Sequence, residues 1–167
     1  MTIVIDMQKD FVTGPLGSPE ARAIVPNMVS YLSKEQGEIL FTQDTHGSDY
    51  LSTFEGEHLP VSHCVKDTEG HEIIDELKPF VKAGCSIEKP TFGSQELAHL
   101  IESMPSLQEV VLMGVCTDIC VVSNALLLRT VRPSLPIKVA ASLCAGTSKE
   151  RHEAALDVMR SCQIEIV

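Results

Sequence analysis

The chain has 167 residues, 44% of them hydrophobic and 22% charged, with a formal net charge of −10. This size and hydrophobic content suit one domain, residues 1–167, with a full core, and exclude an intrinsically disordered chain. The acidic balance argues against nucleic acid or an anionic membrane as a partner, since both attract clustered Lys and Arg, and it favours neutral or cationic small molecules.

Met1–Ile5 is apolar but meets Asp6 at once. It lacks the basic start and long apolar stretch of a signal peptide, and the other apolar runs are too short to span a bilayer. A cytoplasmic protein is expected. Its six cysteines (Cys64, Cys85, Cys116, Cys120, Cys144 and Cys162) read as reduced thiols, because disulfide frameworks belong to short, loop-rich scaffolds.

In chain order, strand-like runs fall at 2–6, 38–43, 85–88, 108–113, 136–141 and 163–167. Helical periods fall between them near 20–36, 71–82, 94–104, 118–131 and 148–161. The alternation predicts a three-layer α/β/α domain, a six-stranded mainly parallel sheet with helices on both faces. Most prolines, including Pro26, Pro79, Pro90 and Pro105, fall at predicted helix starts or turns. Residues 44–70 break the pattern as a long connection rich in His, Asp, Glu and Ser, and connections of that length are usually functional.

Ligands of open parallel sheets lie beyond the carboxyl ends of the strands. The polar groups there are Asp6, Asp44 with His46, Lys89 and Cys120. Cys120 follows strand Val110–Met113 and a turn, in what reads as the first turn of a helix. Unpaired N–H groups and the helix dipole favour a thiolate at such a position, which makes Cys120 a candidate nucleophile. A buried cysteine is also an ordinary core residue; the meeting of an acid, an amine and an imidazole pair at the same edge favours catalysis. Asp6 can accept the thiol proton and return it as a general acid, whereas Asp10 suits a capping role. Lys89 can stabilise both the thiolate and the carboxylate.

Asp44-Thr45-His46, Glu55 and His63 bring two imidazoles and two carboxylates to one connection, a mixture that suits Zn²⁺, Fe²⁺ or Mn²⁺. Asp49, His58 and His71 are alternatives, and Cys64 reads as packed rather than ligating.

The segments Ile5-Asp6-Met7-Gln8-Lys9-Asp10-Phe11, Asp44-Thr45-His46, Leu59-Pro60-Val61-Ser62-His63-Cys64, Lys89 and Gly114-Val115-Cys116-Thr117-Asp118-Ile119-Cys120-Val121 resemble, over essentially the whole chain, the isochorismatase-like cysteine hydrolases. The resemblance is greatest to the nicotinamidase/pyrazinamidase branch. It implies an Asp6–Lys89–Cys120 triad that cleaves a small, ring-bearing amide such as nicotinamide to the acid and ammonia through a thioester. It also implies a cis Val115–Cys116 peptide and an oxyanion hole formed by the N–H groups of Cys116 and Cys120. A divalent metal, Zn²⁺ first and Fe²⁺ or Mn²⁺ next, would be held by Asp44, His46 and His63, with Glu55 the position for an added glutamate. Many members grip the ring between aromatic side chains, whereas this chain has no Trp and places Pro60-Val61-Ser62 before His63. Phe11 is then expected to form one wall, with Phe92, Tyr50 or Phe54 forming another. So compact a chain leaves little for a lid, and a homo-oligomer that helps close the pocket is expected.

Two other readings compete. One is a related hydrolase of another substrate, such as an N-carbamoyl compound; a vinyl ether is disfavoured because that lineage generally lacks the nucleophilic thiol. The other is a non-enzymatic metal or redox module pairing Cys116 with Cys120, against which a helix starting near Thr117 would leave Cys116 outside.

Overall fold

A computed structural model describes residues 1–167. Six strands, β1 (Thr2–Ile5), β2 (Ile39–Asp44), β3 (Ser86–Lys89), β4 (Val110–Val115), β5 (Ile137–Ala145) and β6 (Glu165–Ile166), form one parallel sheet in the order β3-β2-β1-β4-β5-β6. All six predicted strands are present. The inner ones read as unbroken apolar runs because both faces are covered; Ile3, Val4 and Ile5 of β1 are fully buried.

The helices are α1 (Lys9–Val12), α2 (Pro19–Leu32), α3 (Phe54–His58), α4 (Gln95–Glu102), α5 (Val122–Val131) and α6 (Lys149–Ser161). Serine side chains set three of the starts by accepting backbone N–H groups: Ser18 from Ala21, Ser94 from Leu97 and Ser148 from Arg151. With the right-handed crossovers that parallel strands require, this strand order puts α2 on one face of the sheet and α4, α5 and α6 on the other, where α5 packs against both its neighbours.

Three expectations are corrected. The segment predicted as a helix over 71–82 contains only short 3₁₀ turns at Glu69–His71 and Lys78–Phe80. Its apolar residues Ile73, Ile74 and Leu77 are buried, but the main chain pairs with the segment after β1 through Ile74 N–H to Met7 O (3.0 Å) and Lys9 N–H to Glu72 O (2.9 Å). Tertiary pairing overrides a helix-like spacing there, and Pro79 adds a break. Helix α2 ends at Leu32 rather than 36, where its buried stripe Ala21, Ile24, Val25, Met28 and Leu32 stops. Beyond it Glu35 accepts from Thr2 Oγ1 and the Gly37 N–H, closing a turn. Pro26 lies inside α2 rather than at a start.

The chain leaves β1 toward β2 on one side and later crosses to β4 on the other, so the ends of β1 and β4 diverge at a topological switch point. Ile5 is paired with Gly114, and Asp44 with Lys89. The residues that follow these four strands therefore leave the sheet side by side. Gly114 has φ +122°, and a Cβ there would run into the Ile5 carbonyl, so only glycine lets β1 and β4 approach at this point.

Candidate active site

Asp6 turns the chain out of β1 with φ 49°, a left-handed conformation that aspartate tolerates better than most residues, and it is fully buried. Its Oδ1 accepts from Thr42 Oγ1 at 2.6 Å. Its Oδ2 lies 2.7 Å from Lys89 Nζ, but obliquely, so the ion pair leaves that oxygen without an aligned hydrogen bond. Lys89 Nζ, with its side chain shut off from solvent, also reaches Asp44 Oδ1 at 3.2 Å, Thr91 O at 3.1 Å and Cys120 Sγ at 3.5 Å. One ammonium thus joins two carboxylates and the thiol.

Cys120 sits in a π-helical turn, Thr117–Val121, that precedes α5, with the Val121 N–H donating to Cys116 O at 3.1 Å. Cys116 is extended and outside the helix, as the sequence suggests. The Val115–Cys116 peptide is cis, as the resemblance implies. The Cys116 N–H has no acceptor within the chain. The expected bias of a helix start toward thiolate is outweighed: burial and the Asp6 charge push the Cys120 thiol well above its ordinary range, against the pull of Lys89. Burial likewise raises the Asp6 carboxyl, only partly offset by Lys89. Burial alone would lower Lys89, but the surrounding negative groups, Asp6 foremost, raise it and keep it charged.

Asp44, His46, Glu55 and His63 come together, with one ligand atom from each lying within 4.8 Å of all the others. The connection folds back on itself to achieve this. His46 N–H donates to Cys64 O at 3.0 Å, Lys66 N–H donates to His46 O at 2.9 Å, and Asp10 Oδ2 accepts the Cys64 N–H at 2.8 Å. Asp44 Oδ2 is 2.9 Å from His46 Nε2 and 3.5 Å from His63 Nε2, while Glu55 Oε1 is 3.8 and 3.9 Å from the same nitrogens. His63 Nδ1 is 2.7 Å from Val61 O. A carbonyl can only accept, so Nδ1 carries a proton and Nε2 is the nitrogen that faces the group: protonated it donates to Asp44, and on losing that proton it offers its lone pair to a metal. Two imidazole nitrogens and two carboxylate oxygens converging this way fit a divalent metal. Burial would raise Asp44, but hydrogen bonds from His46 and His63 and the charge of Lys89 hold its carboxyl well below the usual range.

The alternatives fall away from this group. His71 is buried against Thr45 Oγ1 at 2.8 Å, His58 is bonded to Phe54 O and lines the neighbouring cavity, and Asp49 is exposed. Cys64 is packed in the core.

Cys120 and three of the four converging residues, Asp44, Glu55 and His63, open onto one cavity of about 580 Å³. Phe11 and Phe92 line it together with Leu16, Leu59 and Ile119. Tyr50 instead lies buried behind the imidazoles, its ring 4.6 Å from His46 and 4.8 Å from His63, and Phe54 is 78% exposed beyond the cavity lining.

Three supporting side chains escape the strand-end reading. Gln8 clamps the Asp44 main chain, donating from Nε2 to Asp44 O (2.8 Å) and accepting Asp44 N–H at Oε1 (2.8 Å). Asn124 donates to Cys120 O (2.8 Å) and Phe92 O (3.1 Å) and accepts the Ser94 N–H (2.9 Å). Thr42 holds Asp6. Signals for two of them existed: Thr42 shares a strand face with Asp44 two residues on, and Asn124 lies four residues after Cys120.

The sequence profile of the Isochorismatase domain matches residues 1–167. The chain is 26% identical to the nicotinamidase/pyrazinamidase of Mycobacterium tuberculosis over 182 residues, covering 99% of this chain and 96% of that protein. Among solved structures, it is similar to the pyrazinamidase of Pyrococcus horikoshii in complex with zinc, with a TM-score of 0.81 and 27% identity over 99% of this chain and 97% of that one. The nicotinamidase of Bacillus subtilis is comparable, with a TM-score of 0.82 and 26% identity over 99% and 98%. Profile, strand order and aligned length agree across residues 1–167, and the chain belongs to the isochorismatase family.

Proposed function

We propose that residues 1–167 act as one catalytic domain, a metal-assisted cysteine amidohydrolase that cleaves a small ring amide such as nicotinamide to the acid and ammonia. The observation that carries this reading is the contact of one buried ammonium, Lys89 Nζ, with Asp6, Asp44 and the Cys120 thiol, directly behind a cavity lined by Cys120, Asp44, Glu55 and His63.

In the free enzyme Cys120 is a thiol and Asp6 a carboxylate. Cys120 gives its proton to Asp6 Oδ2 as Sγ attacks the amide carbon, and the N–H groups of Cys116 and Cys120 receive the charge on the oxygen. Collapse breaks the C–N bond while Asp6 passes the proton to the departing nitrogen, which leaves as ammonia. Water, deprotonated by Asp6, attacks the resulting thioester; the acid departs and the proton returns to the thiol. Lys89 stays charged throughout and balances the changes in charge on Asp6 and Sγ. A divalent metal on Asp44, His46, Glu55 and His63 would supply a Lewis-acid anchor for a ring nitrogen or a water, and Zn²⁺ suits that donor set, with Fe²⁺ and Mn²⁺ as alternatives. Phe11 and Phe92 supply the apolar walls for the ring.

Nicotinamide, pyrazinamide and an N-carbamoyl compound are compared for ammonia release with the metal-loaded enzyme and its Cys120→Ala variant. Ring-amide turnover that vanishes in the variant is expected. Turnover of the N-carbamoyl compound alone moves the assignment to the alternative hydrolase, and turnover that survives Cys120→Ala ends the thioester mechanism. The expected homo-oligomer belongs to the same proposal, and a monomer in sedimentation velocity would remove it.

A further inference from the structure

The turn between Cys116 and Cys120 carries both N–H groups of the oxyanion hole proposed above, and two hydrogen-bonded clamps hold it from outside the triad. Thr117 is fully buried, and its Oγ1 lies 2.8 Å from His152 Nδ1 in the first turn of α6. Its neighbour Asp118 accepts the Thr147 N–H at Oδ1 (2.8 Å) and Thr147 Oγ1 at Oδ2 (2.5 Å). Gly146 lets the junction come this close, because a Cβ there would meet Asp118 Oδ1 and His152 Cβ, each at 2.9 Å. Strand β5 reaches this position because its register against β4 shifts beyond Leu112, so that Val115 is paired with Ala145. The β5–α6 junction is thus fastened onto the first two residues of the nucleophile turn.

We propose that His152 is a positioning residue: through Thr117 it fixes the turn that aims the Cys116 and Cys120 N–H groups at the developing oxyanion. His152 does not itself line the cavity, and its ring bonds to Thr117 rather than to the thiol. It acts on the direction of two backbone donors, and a donor helps only when aligned with the oxygen as charge appears there. The Thr147–Asp118 pair secures the next residue, so loss of His152 loosens the turn without unfolding it. This inference rests on the amidase reading, and its test is built to fail separately.

The metal-loaded enzyme is compared with His152→Ala and with His152→Asn, whose amide occupies the place of Nδ1. Three quantities are read: kcat and KM for nicotinamide, the rate of Cys120 alkylation by iodoacetamide, and protection of Cys120 by pyridine-3-carbaldehyde. Alkylation forms a C–S bond with loss of iodide and builds no oxyanion, whereas aldehyde addition forms a C–S bond as the carbonyl oxygen takes up the charge. His152→Ala is expected to lower kcat about 10-fold, more than a typical single hydrogen bond and less than a whole oxyanion donor, with KM within about twofold. Aldehyde protection should weaken by a similar factor while alkylation keeps its rate, and His152→Asn should restore both kcat and protection. Wild-type kcat and protection in folded His152→Ala overturn the proposal. So does a parallel fall in alkylation and melting temperature, which would mark a merely structural role, or an absence of aldehyde protection in the wild type. If wild-type enzyme hydrolyses no amide, the amidase reading fails, while the aldehyde-against-alkylation comparison still decides the role of His152.

Discussion

The thiol of Cys120 sits in surroundings that favour its neutral form, and its partners are tuned to the same end. Burial raises both Cys120 and Asp6, while Lys89 remains an ammonium because carboxylates face it. A proton can pass between two groups shifted in the same direction with little net change in charge inside the site. The acid limb of kcat/KM is therefore expected to lie above the ordinary aspartate range, with activity lost as the pH falls through the raised pKa of Asp6 and its base form disappears. Thr42→Val removes the hydroxyl that donates to Asp6 Oδ1 and should move that limb further toward neutral pH; an unmoved limb would assign it to another group. Lys89→Met leaves two buried carboxylates without their cation. Breaking such a pair costs about 3–5 kcal/mol, so a loss in Tm on the order of 10 °C should accompany the loss of activity, read by thermal unfolding.

At the scale of elements, the connection from β2 to β3 does most of the positioning without becoming a regular layer. It is fixed to the segment after β1 by backbone pairing, by Gln8, which donates to His71 O as well as clamping Asp44, and by Asp10. His71 is buried within it, and burial lowers its pKa below 6.5. The unfolded chain therefore binds a proton at His71 more readily than the folded one. The stability this residue contributes is fully present above pH 6.5 and is lost as the pH falls through 6.5 toward the lowered value. His71→Gln keeps a polar group near Thr45 Oγ1 and removes the titration, so its Tm should fall less than that of the wild type between pH 7 and 5; equal slopes would refute the assignment. The helix predicted over 71–82 fails for the same reason this connection works. Ile73, Ile74 and Leu77 have helix-like spacing, but their burial is won by pairing the main chain with residues 7–9, a partner 60 or so positions away that local periodicity does not reveal.

Across the whole molecule, the switch point between β1 and β4 brings Asp6, Asp44, Lys89 and Cys120 together beside one cavity, and the Asp44/His46/Glu55/His63 group ties the long connection to the sheet. A metal that binds only the folded state adds stability in proportion to the logarithm of its concentration, about 2.7 kcal/mol at 100 times Kd. Exhaustive chelation is expected to lower Tm by several degrees, on the order of 2–4 °C per kcal/mol for a chain of this size, and readdition of Zn²⁺ should restore it. A Tm indifferent to chelation would remove the metal from the proposal. No helix is long and apolar enough to cross a membrane. The sequence by itself determined the six-stranded α/β plan, because strands buried on both faces must read as short apolar runs between amphipathic periods. It also marked Asp6, Asp44, His46, Lys89 and Cys120, because parallel strands deliver the residues that follow them to one edge. Only the tertiary structure decided that burial keeps the Cys120 thiol neutral against the helix-start field. It also decided that Phe92 rather than Tyr50 or Phe54 lines the cavity with Phe11, and that Gln8, Asn124 and His152 brace the site. Desolvation, cavity walls and hydrogen bonds between distant segments depend on what surrounds a residue in space, and neighbours in sequence carry little of that information.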